Sequence, residues 1–269
     1  MKEIESPMDD LAPAAARREQ LLRTISEQGF VRVADAALEL GVSGVTVRSD
    51  LAALEAAGSI IRVHGGAMSR AQGGGESSFE SSLEQEAAAK RAIGRRAAGL
   101  VNSGQSILLD VGTTALAVAH ALTDRRDLEE LTIITNGLTI ALALEAAMPR
   151  FTVVVTGGTL RPLQHSLVDP FASSIIDGLH VDIAFIGCNG VDPERGVTNV
   201  NLPEAEVKRR MVAASDRAVI MADPSKIGRK RLGSIGPISD FDTLVTAVDA
   251  PADVVGRLRA AGLSVLLAG

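Results

Sequence analysis

The sequence predicts an α/β protein in two parts: a small helical head with a β-hairpin, then a larger domain built on a mostly parallel sheet. Three observations predict it. Two short helical segments joined by Gly41-Val42 lie near the start, a Gly- and Ser-rich run interrupts the chain after Ala67, and from Gln105 onward β-rich runs alternate with helical ones. With 269 residues the chain is long enough for two domains, at roughly 100 to 200 residues each. The expected divisions are a disordered, acidic leader at 1–12, the head at 13–67, a flexible linker at 68–78 and the larger domain at 79–269.

Bulk properties narrow the class. Hydrophobic residues make up 46% of the chain, yet no run approaches the ~18 apolar residues of a membrane helix, so no membrane partner is expected. The segment Met1–Pro7 lacks a basic stretch followed by an apolar core, so no export signal is expected, and the single cysteine, Cys188, excludes an intrachain disulfide. Both fit a cytoplasmic location. His120 and His165 have no partners at metal-ligand spacing, so neither a metal nor a cofactor is predicted.

In the head, Ala14, Arg18, Leu21, Leu22 and Ile25 recur at helical spacing from Pro13 to Gln28, and Gly29 ends that segment. Phe30-Val31-Arg32-Val33 reads as a short extended link, followed by a helix from Val33 to Leu40. The next helix begins at Ser43, whose hydroxyl can accept from the unpaired N–H groups of a helix start. At 100° per residue Val47, Leu51 and Leu54 share one face, Val45, Ser49 and Ala52 lie opposite, and Thr46 and Arg48 flank them. Ala57-Gly58 stops the helix, and Ser59–Gly66 suits a strand and a turn.

The unit therefore reads as a winged helix-turn-helix. The stretch VSGVTVRSDLAALEAAGSIIRVHGGA resembles the DNA-binding signature of the DeoR family of bacterial transcriptional regulators. That resemblance implies Ser43, Thr46, Val47, Arg48 and Asp50 at recognition-helix positions and Arg62, His64, Gly65 and Gly66 in the wing. Combined with the outward face, it nominates Ser43, Val45, Thr46, Arg48, Ser49, Arg62, His64 and Gly65 for contact with a double-stranded DNA operator. Ser49 stands where many members carry a second basic residue. The chain has a net charge of −6, and from Pro13 to Gly66 six arginines face six acidic residues. One head should therefore bind DNA modestly and with strong salt dependence, so a homodimer or homotetramer is expected.

After the linker a polar helix is expected from Phe79 to Val101; Lys90 matches a family position there, and Ser82 replaces a common arginine. Strands are expected at Ser106–Leu109, Leu131–Thr135, Phe151–Thr156, Ile183–Gly187, Ala218–Ala222, Thr243–Val248 and Leu263–Leu267. Helices are expected at Thr114–Leu122, Leu138–Ala147, Pro203–Ala214 and Ala252–Ala261. In such sheets ligands sit beyond the carboxyl ends of the strands.

The strand exits carry the candidates. Asp110-Val111-Gly112-Thr113-Thr114 opens a helix and outlines a phosphate cradle. Thr135-Asn136-Gly137, Gly157-Gly158-Thr159-Leu160-Arg161 and Gly187-Cys188-Asn189-Gly190 end the next three strands, each readable alternatively as turn punctuation. Lys208 lies one helical turn after Glu204 and could pair with it on a solvated face, while Lys226 can offer a point charge to a phosphate.

These segments, from LLDVGTT to MADPSKIG, resemble the DeoR-type sensor domain, similar in fold to ribose-5-phosphate isomerase and coenzyme A transferases. The resemblance implies a sugar-phosphate effector. The nominated residues are Asp110, Gly112, Thr113, Thr114, Thr135, Asn136, Gly157, Gly158, Asn189, Glu204, Lys208 and Lys226. Of these, Gly112, Thr113 and Thr114 take the phosphate, Asp110 and Asn136 the sugar hydroxyls, and the two lysines supply charge. Asp169 replaces a usual glycine and would repel a phosphate nearby; Ala247 replaces a common aspartate; Cys188 packs as a small apolar residue.

The expectation is a DNA-binding repressor of carbohydrate-metabolism genes and not an enzyme. Two other readings compete: a sugar-phosphate isomerase with an accessory head, and a DNA-binding module whose α/β domain only oligomerises.

Overall fold

The computed structural model describes residues 14–28, 30–63, 65–69 and 76–269. The expected leader, His64 and the middle of the expected linker lie outside them. The chain divides into two compact units, Met1–Ser78 and Phe79–Gly269.

The first unit holds α1 (Ala14–Gln28), β1 (Phe30–Arg32), α2 (Val33–Glu39), α3 (Gly44–Ala56), β2 (Ile60–Val63) and β3 (Gly66–Ser69). Leu21 and Ile25 of α1, Ala36 of α2 and Val47, Leu51 and Leu54 of α3 bury one core with Val31, Ile60 and Ala67. The face read from the 3.6-residue period is thus the packed one. β3 runs between β1 and β2, antiparallel to both. This moves the start of the linker: Met68 and Ser69 belong to the central strand, because β1 supplies a second pairing edge. Gly66 is dictated by that pairing, since a Cβ there would meet the Val31 carbonyl oxygen at 2.2 Å.

The second unit opens with α4 (Phe79–Glu84) and α5 (Ala87–Ala98). The single helix expected over Phe79–Val101 is broken, because Glu86 takes a left-handed conformation (φ 53°) and the Lys90 ammonium donates to the α4 end carbonyls of Ser82 and Gln85, both at 2.6 Å. Then follow β4 (Ser106–Leu109), α6 (Thr113–Asp124), β5 (Leu131–Thr135), α7 (Leu138–Leu144), β6 (Phe151–Val155), β7 (Thr159–Arg161), β8 (Ser166–Val168) and α8 (Phe171–Ile176). The chain continues with β9 (Val181–Gly187), β10 (Gly190–Asp192), β11 (Gly196–Asn199), α9 (Leu202–Ala213), β12 (Ser215–Met221), β13 (Gly233–Gly236), β14 (Thr243–Ala247), α10 (Ala252–Ala260) and β15 (Ser264–Ala268).

Seven strands form one sheet in the order β15-β14-β12-β9-β4-β5-β6, parallel at every pairing. Central strands such as β4 and β14 are buried almost throughout because both faces of the sheet are covered there. In β9, Ile183 and Phe185 enter a core with α5, α6 and α7, while Ala184 and Ile186 enter another with α8, α9 and α10. Gly94 lets α5 approach α6, since a Cβ there would lie 2.5 Å from the Ala117 carbonyl oxygen. The order reverses between β4 and β9: the chain runs outward from β4 to β6 and returns on the other side. In open α/β sheets such a reversal is where a ligand crevice forms, here beyond the carboxyl ends of β4 and β9.

Candidate functional site

In the head, the Ser43 hydroxyl accepts from the Thr46 N–H at 3.1 Å, capping α3 as its sequence requires. Val45 is 72% exposed, Arg48 and Ser49 are exposed, and Thr46 is half-buried, so these residues share the outward start of one helix. Two positions implied by resemblance point the other way. Val47 is in the core, and Asp50 is buried, with its carboxylate accepting from Arg17 Nε at 2.5 Å and Arg18 Nε at 3.0 Å. Burial raises the Asp50 pKa, but the two guanidiniums prevail and hold it below the usual carboxylate value. Arg62 is exposed on the hairpin, its guanidinium 3.7 Å from Glu55; Gly65, at φ 84°, offers its carbonyl to the Val33 N–H at 3.0 Å.

In the second unit, the first turn of α6 has no side-chain cap. Gly112 precedes it at φ 106°, and Thr113 and Thr114 are half-buried, so the first N–H groups of a twelve-residue helix remain open. Asp110 closes the reversal point. Its Oδ2 accepts from the Gly187 N–H at 2.8 Å and from the Lys208 ammonium, while Oδ1 is buried without a partner. Leu109 and Thr135 are partners in the β4–β5 ladder, so Asp110 and Asn136 stand side by side beyond it. The Asn136 amide nitrogen donates to the Leu167 carbonyl at 3.1 Å, and its Oδ1 is likewise buried and unpartnered.

Glu204 and Lys208 do not pair on a solvated face: each is 3% exposed, and each faces a different partner. Glu204 Oε1 accepts from Arg161 Nη1 at 2.8 Å and the Ser166 hydroxyl at 2.6 Å, and Oε2 from Asn199 Nδ2 at 3.4 Å. Burial works against the charge of Lys208, but the carboxylates of Asp110 and Glu204 hold its pKa above the ordinary lysine value. The pattern Glu-x-x-x-Lys reads as a surface pair from sequence; the signal it needed was Arg161, the basic residue that ends β7. Arg161, Ser166 and Asn199 are the residues that the sequence did not nominate.

The remaining candidates divide. Lys226 is half-buried in a single helical turn whose start is capped by Asp223, accepting from the Ser225 N–H at 3.0 Å. Thr135 accepts from the Gly137 N–H at 3.0 Å, and Asn189 Oδ1 from the Val200 N–H at 2.9 Å, so both side chains hold local backbone. Gly157 (φ 72°) and Gly158 (φ 127°) turn the chain from β6 into β7, and a Cβ on Gly158 would meet the Val168 carbonyl oxygen at 2.3 Å. Asp169 Oδ1 accepts from the Ser173 N–H of α8 at 3.1 Å. Burial pushes the Cys188 thiol up to about 12, leaving it protonated near neutrality. Among the described residues no cluster suits a metal ion, and no helix is long and apolar enough to cross a membrane.

The family model of the DeoR-like helix-turn-helix domain matches residues 17–72, and that of the DeoR C-terminal sensor domain matches residues 85–248. The chain is 34% identical over 255 residues to a putative aga operon transcriptional repressor of Escherichia coli O157:H7, covering 94% of this chain and 93% of that one. It is 31% identical over 252 residues to the HTH-type transcriptional regulator GolR of Listeria innocua, covering 94% and 98%. Among solved structures, ribose 5-phosphate isomerase A from Methanocaldococcus jannaschii aligns with 53% of this chain and 55% of its own, at 18% identity and a TM-score of 0.40. With both units matched and near full-length relatives, the chain belongs to the DeoR family of helix-turn-helix transcriptional regulators.

Proposed function

We propose that this regulator is a repressor of carbohydrate-metabolism genes, relieved or engaged by a phosphorylated sugar in the crevice of its second unit. The observation that carries the reading is the pairing of opposite needs at adjacent strand exits. The open N–H groups of α6 suit a phosphate, and the unpartnered buried acceptors Asp110 Oδ1 and Asn136 Oδ1 suit sugar hydroxyls. Lys226 adds charge at the rim. Ser43, Val45, Thr46, Arg48, Ser49, Arg62 and Gly65 contact the operator, with paired heads in a cytoplasmic homodimer or homotetramer matching a two-fold site.

The isomerase alternative is disfavoured by the relatives, which match nearly the whole chain, DNA-binding unit included, and are named as transcriptional regulators. A thermal-shift screen of sugar phosphates tests the reading. A stabilising hit whose effect on promoter binding is weakened by Lys226→Ala, with ligand-free DNA affinity intact, is the expected result. Turnover of ribose 5-phosphate or glucosamine 6-phosphate would overturn it.

A further inference from the structure

The helix that opens the second unit is gripped at both ends by elements of the crevice. At its start, the buried Phe79 ring lies 5.1 Å from the His165 ring; His165 Nε2 faces Glu80 Oε1 at 3.1 Å, and Nδ1 meets the Thr139 hydroxyl of α7 at 2.8 Å. At its end, the Lys90 ammonium donates to the Ser82 and Gln85 carbonyls. An ammonium has three N–H donors, and these carbonyls take two. Lys90 also lines a cleft of about 410 Å³ that runs along α6 from Thr113 at its open start past His120 to Asp124, with Leu83 of α4 and Arg91 and Arg95 of α5 on its other wall. Burial lowers the Lys90 pKa; Asp223 favours its charge and Lys226 opposes it, so a further negative charge would strengthen its hold.

We propose that Lys90 is a shared contact: an anionic group seated at the start of α6 accepts its third N–H and thereby fixes α4. The inference rests on the effector reading above and adds the route by which occupancy leaves the crevice. Phe79 directly follows the first unit in the chain, so the order of α4 is delivered to the segment that leads back to the head. The ligand then acts on α4 to the extent that it binds the ordered state of α4 more tightly than the other, as coupling between two sites requires.

Hydrogen–deuterium exchange on the full-length protein tests this, with ribose 5-phosphate, glucosamine 6-phosphate and inorganic phosphate as probes. Slower exchange at both 113–115 and 79–86 is the expected result. Slowing at 113–115 alone would overturn the Lys90 link and leave the effector reading standing; no response at either segment to any probe would overturn both. In Lys90→Met, residues 79–86 should exchange about tenfold faster without ligand and ignore the probe, while 113–115 still respond. Lys90→Arg, which keeps the charge, should restore part of the α4 response; ligand-dependent slowing at 79–86 in the Met variant would sink the proposal.

Discussion

The Lys208 ammonium donates to the Asp110 carboxylate across the point where the sheet reverses, joining α9 to the loop after β4. Both groups are almost wholly buried. Removing one partner strands the other charge away from water. Lys208→Met should therefore cost about 3–5 kcal/mol of unfolding free energy, and adding Asp110→Asn should recover much of it. Urea denaturation of the two single variants and the double variant measures this, and strict additivity would show that the two groups are not coupled.

In the head, the Asp50 carboxylate clamps α3 to Arg17 and Arg18 of α1. Its pKa in the folded protein lies below the 3.8 of the free group. A depressed carboxylate contributes stability that is complete above its unfolded pKa and is lost as pH falls through the folded value. The acid limb of head unfolding should therefore flatten in Asp50→Asn. At neutral pH that variant should be destabilised by about 1–3 kcal/mol, as expected for loss of charged hydrogen bonds, while α3 keeps its outward residues.

Gly66→Ala should unfold the head outright. The added methyl must enter the space of the Val31 carbonyl and the Phe30 ring, where backbone cannot give way. Circular dichroism should then show the loss of helix from the first unit, with the second unit's transition unchanged. A folded Gly66→Ala head would refute the β1–β3 pairing.

Arg48→Ala and Val45→Ala should leave stability within about 0.5 kcal/mol, because both side chains are exposed on α3. Arg48→Ala should lose about 1–3 kcal/mol of promoter affinity if it reads a base edge, or lower the salt slope by about one if it touches phosphate. Val45→Ala should weaken binding only at sites whose thymine methyl it meets. Fluorescence anisotropy over a salt series separates these cases.

Much of this architecture was legible because it rests on period and punctuation. Ser43, Val47, Leu51 and Leu54 fixed α3 by cap and stripe, and all seven main strands lay in apolar runs between turn residues. What escaped notice was short or long-range. β7, β8, β10, β11 and β13 have three or four residues each, too few to show alternation; the first four form two short hairpins, and β13 joins β11 from far along the chain. At the site, residue types were readable but partners were not: Glu204 with Lys208 satisfies the helix-surface rule, and only the fold turns each toward Arg161 or Asp110. The resemblance that placed Asp50 among readers gave its position in sequence, while burial and two arginines make it an anchor.

The neighbours of β4 set an order of events during synthesis. Ile107 of β4 lies beside Ile133 on one side and Ile183 on the other, so the centre of the sheet cannot close until the ribosome has released a long stretch downstream. The head needs only its own local contacts and can fold while still tethered to the emerging chain. A newborn molecule thus owns its helix-turn-helix before it owns the sheet behind it, and premature termination after the head would leave a single, weakly binding reader.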